Sequence, residues 1–342
     1  MKTILVTGGA GFIGSNFIRL IFNKYPDYRI IVLDALTYAG SLENIPQNIR
    51  DSDRFEFWYG NLNNLDLIGD LVGKSQIIVH FAAETHVARS LYLNRVFFIT
   101  DVLGTQSVVN AMIKHSDVVE RFIHISTSEV YGTALFEPMD EEHPLNPTTP
   151  YAAAKAGADR LVYSYIKSYN IPGLIIRPFN NYGPYQHLEK VIPRFITSAI
   201  LKEPLTIHGD GSASRDWVYV DDTARAIDLA VHSPEEKIRG EVFNVGTGQS
   251  LSILEIAHKV LKAFDISDNY FDYIPDRQGQ VVKHISSDRK ARDILGFVPE
   301  VSFTDGLEKT IKWYKENRPL WEKQIPLRRV PVKTKDGSVL WY

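Results

Sequence analysis

Cysteine is missing from all 342 residues, and with it go disulfides, thiolate nucleophiles and Cys-ligated metals. Histidine occurs ten times, but never in the HExxH or similar paired spacing that holds a catalytic metal, so no metal is expected. Basic residues are not in excess. The 38 Lys and Arg stand against 41 Asp and Glu, a net charge of −3, which argues against a sequence-independent grip on nucleic acid. No unbroken apolar run approaches the roughly 18 residues of a membrane span, and Met1 leads almost directly into KTILVTGG without a signal-type apolar segment. The expectations are therefore no nucleic-acid partner, no membrane partner and a cytoplasmic protein.

What is present is an alternation of short β-rich runs with longer helical patterns. TILVTG (3–8), RIIVLDA (29–35), FEFWYG (55–60), QIIVHFAA (76–83), RFIHIST (121–127) and GLIIRPFN (173–180) read as strands. They are nearly continuous in apolar residues, as parallel strands covered on both faces are. Helical patterns fall at 12–25, 64–72, 95–115 and 150–169. This predicts an α/β fold, a doubly wound parallel Rossmann sheet. Beyond about residue 180 the rhythm breaks into turn-rich stretches, further helices at 251–264 and 304–317 with Ser252 and Thr304 as caps, and one more buried strand at 241–248. The expected organisation is a Rossmann domain at 1–179 with a returning segment at about 216–248. A smaller interleaved C-terminal substrate domain takes 180–215 and 249–330, and 331–342 is a tail.

Two stretches carry chemistry. VTGGAGFIGS sets Gly8, Gly11 and Gly14 at GxxGxxG spacing directly after the first strand and at the mouth of a helix. There the backbone can approach a pyrophosphate and offer it helix N-terminal N–H groups. Asp34 ends the second strand, 20 residues past Gly14, where a carboxylate accepts both ribose hydroxyls and repels a 2′-phosphate, which favours NAD over NADP. Farther on, YAAAK places Tyr151 and Lys155 four apart on one helix face. An ammonium there favours the phenolate and turns a phenol of pKa about 10 into a base. About 24 residues upstream, STSEVYG brings Thr127, Ser128 and Glu129 to the end of a strand. His80 and His124, inside strands, read as satisfied core histidines. His86 reads equally as structural or substrate-facing.

These stretches, with DALTYAGSLEN, HFAAETHVARS, VLGT, NNYGPYQHLEKVIP, GDGSASRDWVYVDD and DRQG, resemble the extended short-chain dehydrogenase/reductases that act on nucleotide sugars. Over nearly the whole chain the similarity is greatest to the dTDP-glucose 4,6-dehydratase group. GxxGxxG and YxxxK are common to the superfamily, whereas NNYGPYQ, EKVIP and RDWVYVDD are much narrower. The resemblance implies a nucleotide-diphosphate sugar substrate, NAD recycled within each turnover, a 4-keto-6-deoxy product and a homodimer paired through helices 95–115 and 150–169. It also implies the roles. Tyr151 and Lys155 serve C4 oxidation, Thr127 holds the developing carbonyl, and Glu129 removes the C5 proton. Gly8, Gly11, Phe12, Ile13, Gly14, Asp34, Asn61, Leu62, Ala82 and Thr100 line the cofactor, while Thr85, Asn180, Lys190, Arg215 and Arg277 hold the substrate.

Several positions depart from the pattern. Ser128 stands where the nearest relatives carry an aspartic acid that protonates the departing C6 hydroxyl, and a serine hydroxyl is too weak an acid for that. Thr-Ser-Glu also occurs in GDP-mannose 4,6-dehydratases and in UDP-glucuronate decarboxylases. Ala88 replaces an Asp, Asn61 replaces an Asp beside the adenine, and QVVKH after DRQG lacks the usual His-Asp-Arg-Arg. The alternatives are thus a UDP-glucuronate decarboxylase or a nucleotide-sugar 4-epimerase of the same family, and an N-acetylhexosamine nucleotide is a possible substrate of the dehydratase.

Overall fold

The computed structural model describes residues 1–276, 278–328, 330–333 and 338–341. Its centre is a seven-stranded sheet, every pairing parallel, in the spatial order Val242–Val245, Gly173–Pro178, Arg121–Ile125, Ile77–His80, Lys2–Thr7, Tyr28–Asp34, Phe55–Tyr59. The strand order reverses beside Lys2–Thr7, and in such sheets ligands bind in the crevice at the carboxyl ends flanking that reversal.

Alternation along the strands divides the core in two. Ile4, Val6, Ile30 and Val32 face a cluster covered by helices Phe12–Lys24 and Val220–His232, with Phe17, Ile21 and Ile227 inserted. Leu5, Ile31, Leu33, Ile78 and Phe122 face the opposite cluster, closed by Leu65–Val72, Thr105–Lys114 and Pro150–Tyr169. Each such buried aliphatic side chain is worth about 1.5–3 kcal/mol relative to exposure, which is why these strands tolerate almost no polar residue. His80 fits this rule because Thr7 Oγ1 lies 2.7 Å from its Nδ1 and Thr105 Oγ1 2.9 Å from its Nε2. His124 does not. It is buried with no hydrogen-bond partner on either ring nitrogen, so the expectation of a satisfied histidine is corrected, and burial drives its pKa well below the usual value.

A third cluster lies outside the sheet. Tyr182, Ile192, Phe195, Trp217, Ile256, Leu261, Leu307, Ile311, Tyr314 and Trp321 pack together around strand Ser214–Tyr219, which pairs with Asn180–Tyr182 and with Ser250–Ser252. Ser252 caps helix Ile253–Ala263 in a reciprocal capping box with Glu255. The last long helix runs Phe303–Glu316 and is capped by Ser302 rather than Thr304, because the Ser302 hydroxyl accepts the Asp305 N–H.

The expected helix at 95–115 is one continuous 21-residue run, Asn94–Lys114, widened to a π-helix at Phe98–Gly104. At a mean hydropathy of 1.4 it is long and apolar enough to cross a membrane by composition, which no unbroken apolar run in the sequence had suggested. One half is buried against the domain, and its middle carries Asp101.

Candidate functional site

The first strand stops at Thr7 because Gly8 must turn at φ +69°, tight against the segment that leaves strand Ile77–His80. A Cβ there would lie 2.6 Å from the Ala82 backbone nitrogen. Helix Phe12–Lys24 then begins at Gly11 with no side chain capping it, so its first-turn N–H groups, which lack intrahelical partners, stay available to an anion. Asp34 ends the second strand with both oxygens fixed, Oδ2 accepting the Ala10 N–H at 2.9 Å and Oδ1 the Leu36 N–H at 2.8 Å. Burial raises its pKa and these two bonds oppose the rise. An uncapped helix mouth, a glycine turn with no room for side chains and a positioned carboxylate are the features a dinucleotide requires.

The segments carrying Thr127, Ser128, Glu129, Tyr151 and Lys155 reach the same space from the neighbouring strands. Strand Arg121–Ile125 ends sooner than the sequence suggested. Thr127 caps a single turn, Ser128–Tyr131, by accepting the Glu129 N–H at 3.2 Å. Ser128 and Glu129 therefore lie in that turn rather than on the strand itself. Thr149 caps helix Pro150–Tyr169 through the Ala152 N–H and Pro150 opens it, which places Tyr151 and Lys155 in its first two turns. One cavity of about 580 Å³ is lined by Gly8, Gly11, Phe12, Ile13, Gly14, Asp34, Asn61, Leu62, Ala82 and Thr100, by Thr127, Ser128, Glu129, Tyr151 and Lys155, and by Thr85, Asn180, Lys190 and Arg215. Arg277 lies outside the described residues.

The electrostatics of the candidate catalytic residues are governed by burial. Burial pushes the Tyr151 phenol upward, with Glu129 and Asp101 adding to the rise and a hydrogen bond with Thr127 opposing it. The Lys155 ammonium donates to the Ile125 carbonyl at 2.7 Å. Its own pKa is lowered by burial while Asp101 and Asp159 support its charge. Asp101, whose Oδ1 accepts the Glu84 N–H at 2.8 Å, is raised to about 7 by burial.

At the opposite end Lys190 Nζ donates to the Thr85 carbonyl at 2.9 Å and lies 3.6 Å from Glu189. Arg215 Nε is 3.8 Å from Glu129 Oε1, so this arginine faces the Glu129 carboxylate as well as the cavity. His86 is structural in part, since its Nδ1 accepts the Arg89 N–H and caps the next turn, with Nε2 3.3 Å from Glu189. The sequence pattern did not single out Glu189, a buried carboxylate in the cavity wall that accepts the Tyr38 hydroxyl at 3.0 Å. Its place within EKVIP was the available signal. Nor did it single out Val330, which packs on Ala88 and lines the cavity.

Comparison with known proteins places this geometry. Low-salt glycan biosynthesis protein Agl12 of Haloferax volcanii is 43% identical over 311 residues, 91% of this chain and 98% of its own length. A dTDP-glucose 4,6-dehydratase of Streptomyces niveus is 40% identical over 98% of this chain and 97% of its own. The crystal structure of DesIV, a dTDP-glucose 4,6-dehydratase of Streptomyces venezuelae with NAD bound, superposes with a TM-score of 0.89 at 39% identity, covering 94% of this chain and 99% of that one. The family model for GDP-mannose 4,6 dehydratase matches residues 5–310, and the chain therefore belongs to that family of nucleotide-sugar dehydratases.

Proposed function

We propose that the protein is an NAD-dependent hydro-lyase that converts the hexose of a nucleotide-diphosphate sugar to its 4-keto-6-deoxy form. The observation that carries this reading is that Thr127, Glu129 and Tyr151, from two separate segments, face one cavity continuous with the Gly8–Gly14 turn and Asp34. The helix mouth at Phe12 and Ile13 would take the cofactor pyrophosphate, Asp34 the adenosine ribose, Asn61 and Leu62 the adenine end, and Lys155 the nicotinamide end. NAD held there would supply the hydride chemistry, as an acceptor for the C4 hydrogen and a donor toward C6.

The chain's own residues do the rest. Tyr151 accepts the proton of the C4 hydroxyl, and Thr127, already hydrogen-bonded to that phenol, opposes the burial that would otherwise hold it neutral. The 4-ketone acidifies C5–H, and Glu129 removes that proton. Lys190 and Arg215 offer two cations to the diphosphate, a charge-assisted arrangement suited to phosphate oxygens, with Asn180 and Thr85 toward the sugar.

The division proposed is 1–179 with 216–248, and 180–215 with 249–330; the outer cluster supports it, while Ala291, Leu295 and Phe297 of the second unit pack into the sheet cluster. The two units interleave along strand Ser214–Tyr219, where Val218 enters the sheet core while Trp217 and Tyr219 enter the outer one. A homodimer is supported by apolar side chains left exposed on helices Asn94–Lys114 and Pro150–Tyr169, among them Val96, Phe98, Leu103 and Tyr163.

The test is to incubate the holoenzyme, without added reductant, with dTDP-glucose, GDP-mannose, UDP-N-acetylglucosamine and UDP-glucuronate and to weigh the products. Loss of one water with no net change in NAD is expected. Loss of carbon dioxide would instead assign a decarboxylase, and unchanged mass with a new sugar an epimerase. Glu129→Gln is expected to lower water loss about 10²–10⁴-fold, the usual weight of a general base, while NADH still forms. Undiminished turnover would remove Glu129 from its role.

A further inference from the structure

Behind the catalytic wall a buried histidine touches the serine whose presence the sequence left unexplained. His284 is fully buried, and its Nε2 lies 2.7 Å from the Gly132 carbonyl oxygen. A carbonyl only accepts, so Nε2 carries the hydrogen. Nδ1, on the other side of the ring, is 3.4 Å from Ser128 Oγ. Burial lowers the imidazole to about 4; Glu129 and the Gly132 bond pull the other way, while Arg215 and His143 add to the lowering. Near neutral pH the ring is uncharged, and its Nδ1 offers a lone pair. The Ser128 hydroxyl must then donate to it, which leaves the serine oxygen able only to accept. Ser128 lines the cavity beside Glu129.

We propose that His284 is a positioning residue that holds the Ser128 hydrogen and makes Ser128 a hydrogen-bond acceptor for the C6 hydroxyl of the sugar. The proposal rests on the dehydratase reading above. The C5–H bond breaks and its proton passes to the Glu129 carboxylate, while the electron pair forms the C5–C6 double bond. The C6–O bond breaks, and its oxygen leaves with the proton Glu129 has just received. Water departs, the carboxylate is restored, and no other acid takes part. Ser128 is engaged before bond breaking, when it accepts from the C6 hydroxyl and turns that oxygen's lone pairs toward Glu129.

The test compares wild-type holoenzyme with Ser128→Ala, His284→Phe, His284→Asn and the Ser128→Ala/His284→Phe double variant, on the nucleotide hexose from which the wild type loses water. NADH formed in a single turnover and dehydrated product are both measured. Water loss is expected to fall about tenfold or more in Ser128→Ala and His284→Phe. NADH should form within about threefold of the wild-type rate and persist, and the double variant should be no slower than either single one. His284→Asn, whose amide oxygen can accept from Ser128, should recover most of the loss. Equal slowing of NADH formation and water loss, or full water loss in Ser128→Ala, overturns the proposal. Ser128→Ala removes one oxygen and leaves the ring in place, so it remains decisive even if His284→Phe does not fold. A wild type that dehydrates no nucleotide hexose overturns the dehydratase reading and this proposal with it, a result distinct from a wild type that works and a Ser128→Ala that works equally well.

Discussion

A phenol in an apolar wall is a poor base, and Tyr151 is such a phenol until something favours its ionised form. Thr127 is the neighbour that opposes the upward shift. Replacing it with Val should move the alkaline-rising limb of single-turnover NADH formation to higher pH, as well as lowering the rate. A limb left where it was would show that the threonine contact does not tune the base. Asp34 carries a separate prediction. Hydrogen bonds from ribose hydroxyls to a carboxylate are worth about 1.5–3 kcal/mol, so Asp34→Ala should weaken NAD binding about 10–100-fold by calorimetry and relax the preference over NADP. The roles of Asp34, Tyr151 and Glu129 could be argued from sequence because each sits at a fixed offset from a local signal: a strand end, a helix start, a glycine turn. His284 could not. It meets Ser128 across 156 residues, and nothing in QVVKHISSD announces that contact.

At the scale of elements, the first-half strands were legible because burial on both faces leaves an unbroken apolar run. Helix Pro150–Tyr169 was legible to the residue because Thr149 and Pro150 mark its start. Strand ends were read too long at Ala83 and Thr127, since the chain leaves the sheet there to serve the cavity while remaining rich in strand-forming residues. The short strands of the outer lobe, such as Phe271–Ile274 beside Leu205–His208, depend on partners far away in the chain and have little pattern of their own. Caps make a clean test here. Ser252→Ala removes the reciprocal capping box and should lower stability by about 1 kcal/mol, seen in denaturant unfolding, with activity unchanged. Helix Phe12–Lys24 is also tied to helix Val220–His232. Lys24 Nζ and His232 Nδ1 lie 2.7 and 2.9 Å from Asp228. Burial works against both charges, but hydrogen bonding prevails and lowers Asp228 while raising His232. The aspartate contribution is complete above its unfolded pKa of about 3.9, and the histidine contribution is complete below about 6.5 and lost as pH rises through the higher folded value. The melting temperature lost in His232→Gln should therefore be larger at pH 5.5 than at pH 8.5, and an equal loss at both would contradict the linkage.

For the whole molecule, the sheet carries the Gly8–Gly14 and Ser128–Tyr131 turns, the outer lobe carries Lys190 and Arg215, and in the proposed reading the substrate would lie between them. The exposed apolar side chains on Asn94–Lys114 and Pro150–Tyr169 lie on the sheet side of that arrangement. Leu103→Glu combined with Val96→Glu should give a one-protomer mass by light scattering, whereas the wild type should give a two-protomer mass. The central claim, a hydride lent at C4 and returned at C6 around a single hexose ring, is tested most directly with a nucleotide hexose carrying deuterium at C4. The dehydrated product should carry that deuterium at C6. Deuterium retained at C4, or lost to solvent, would contradict it.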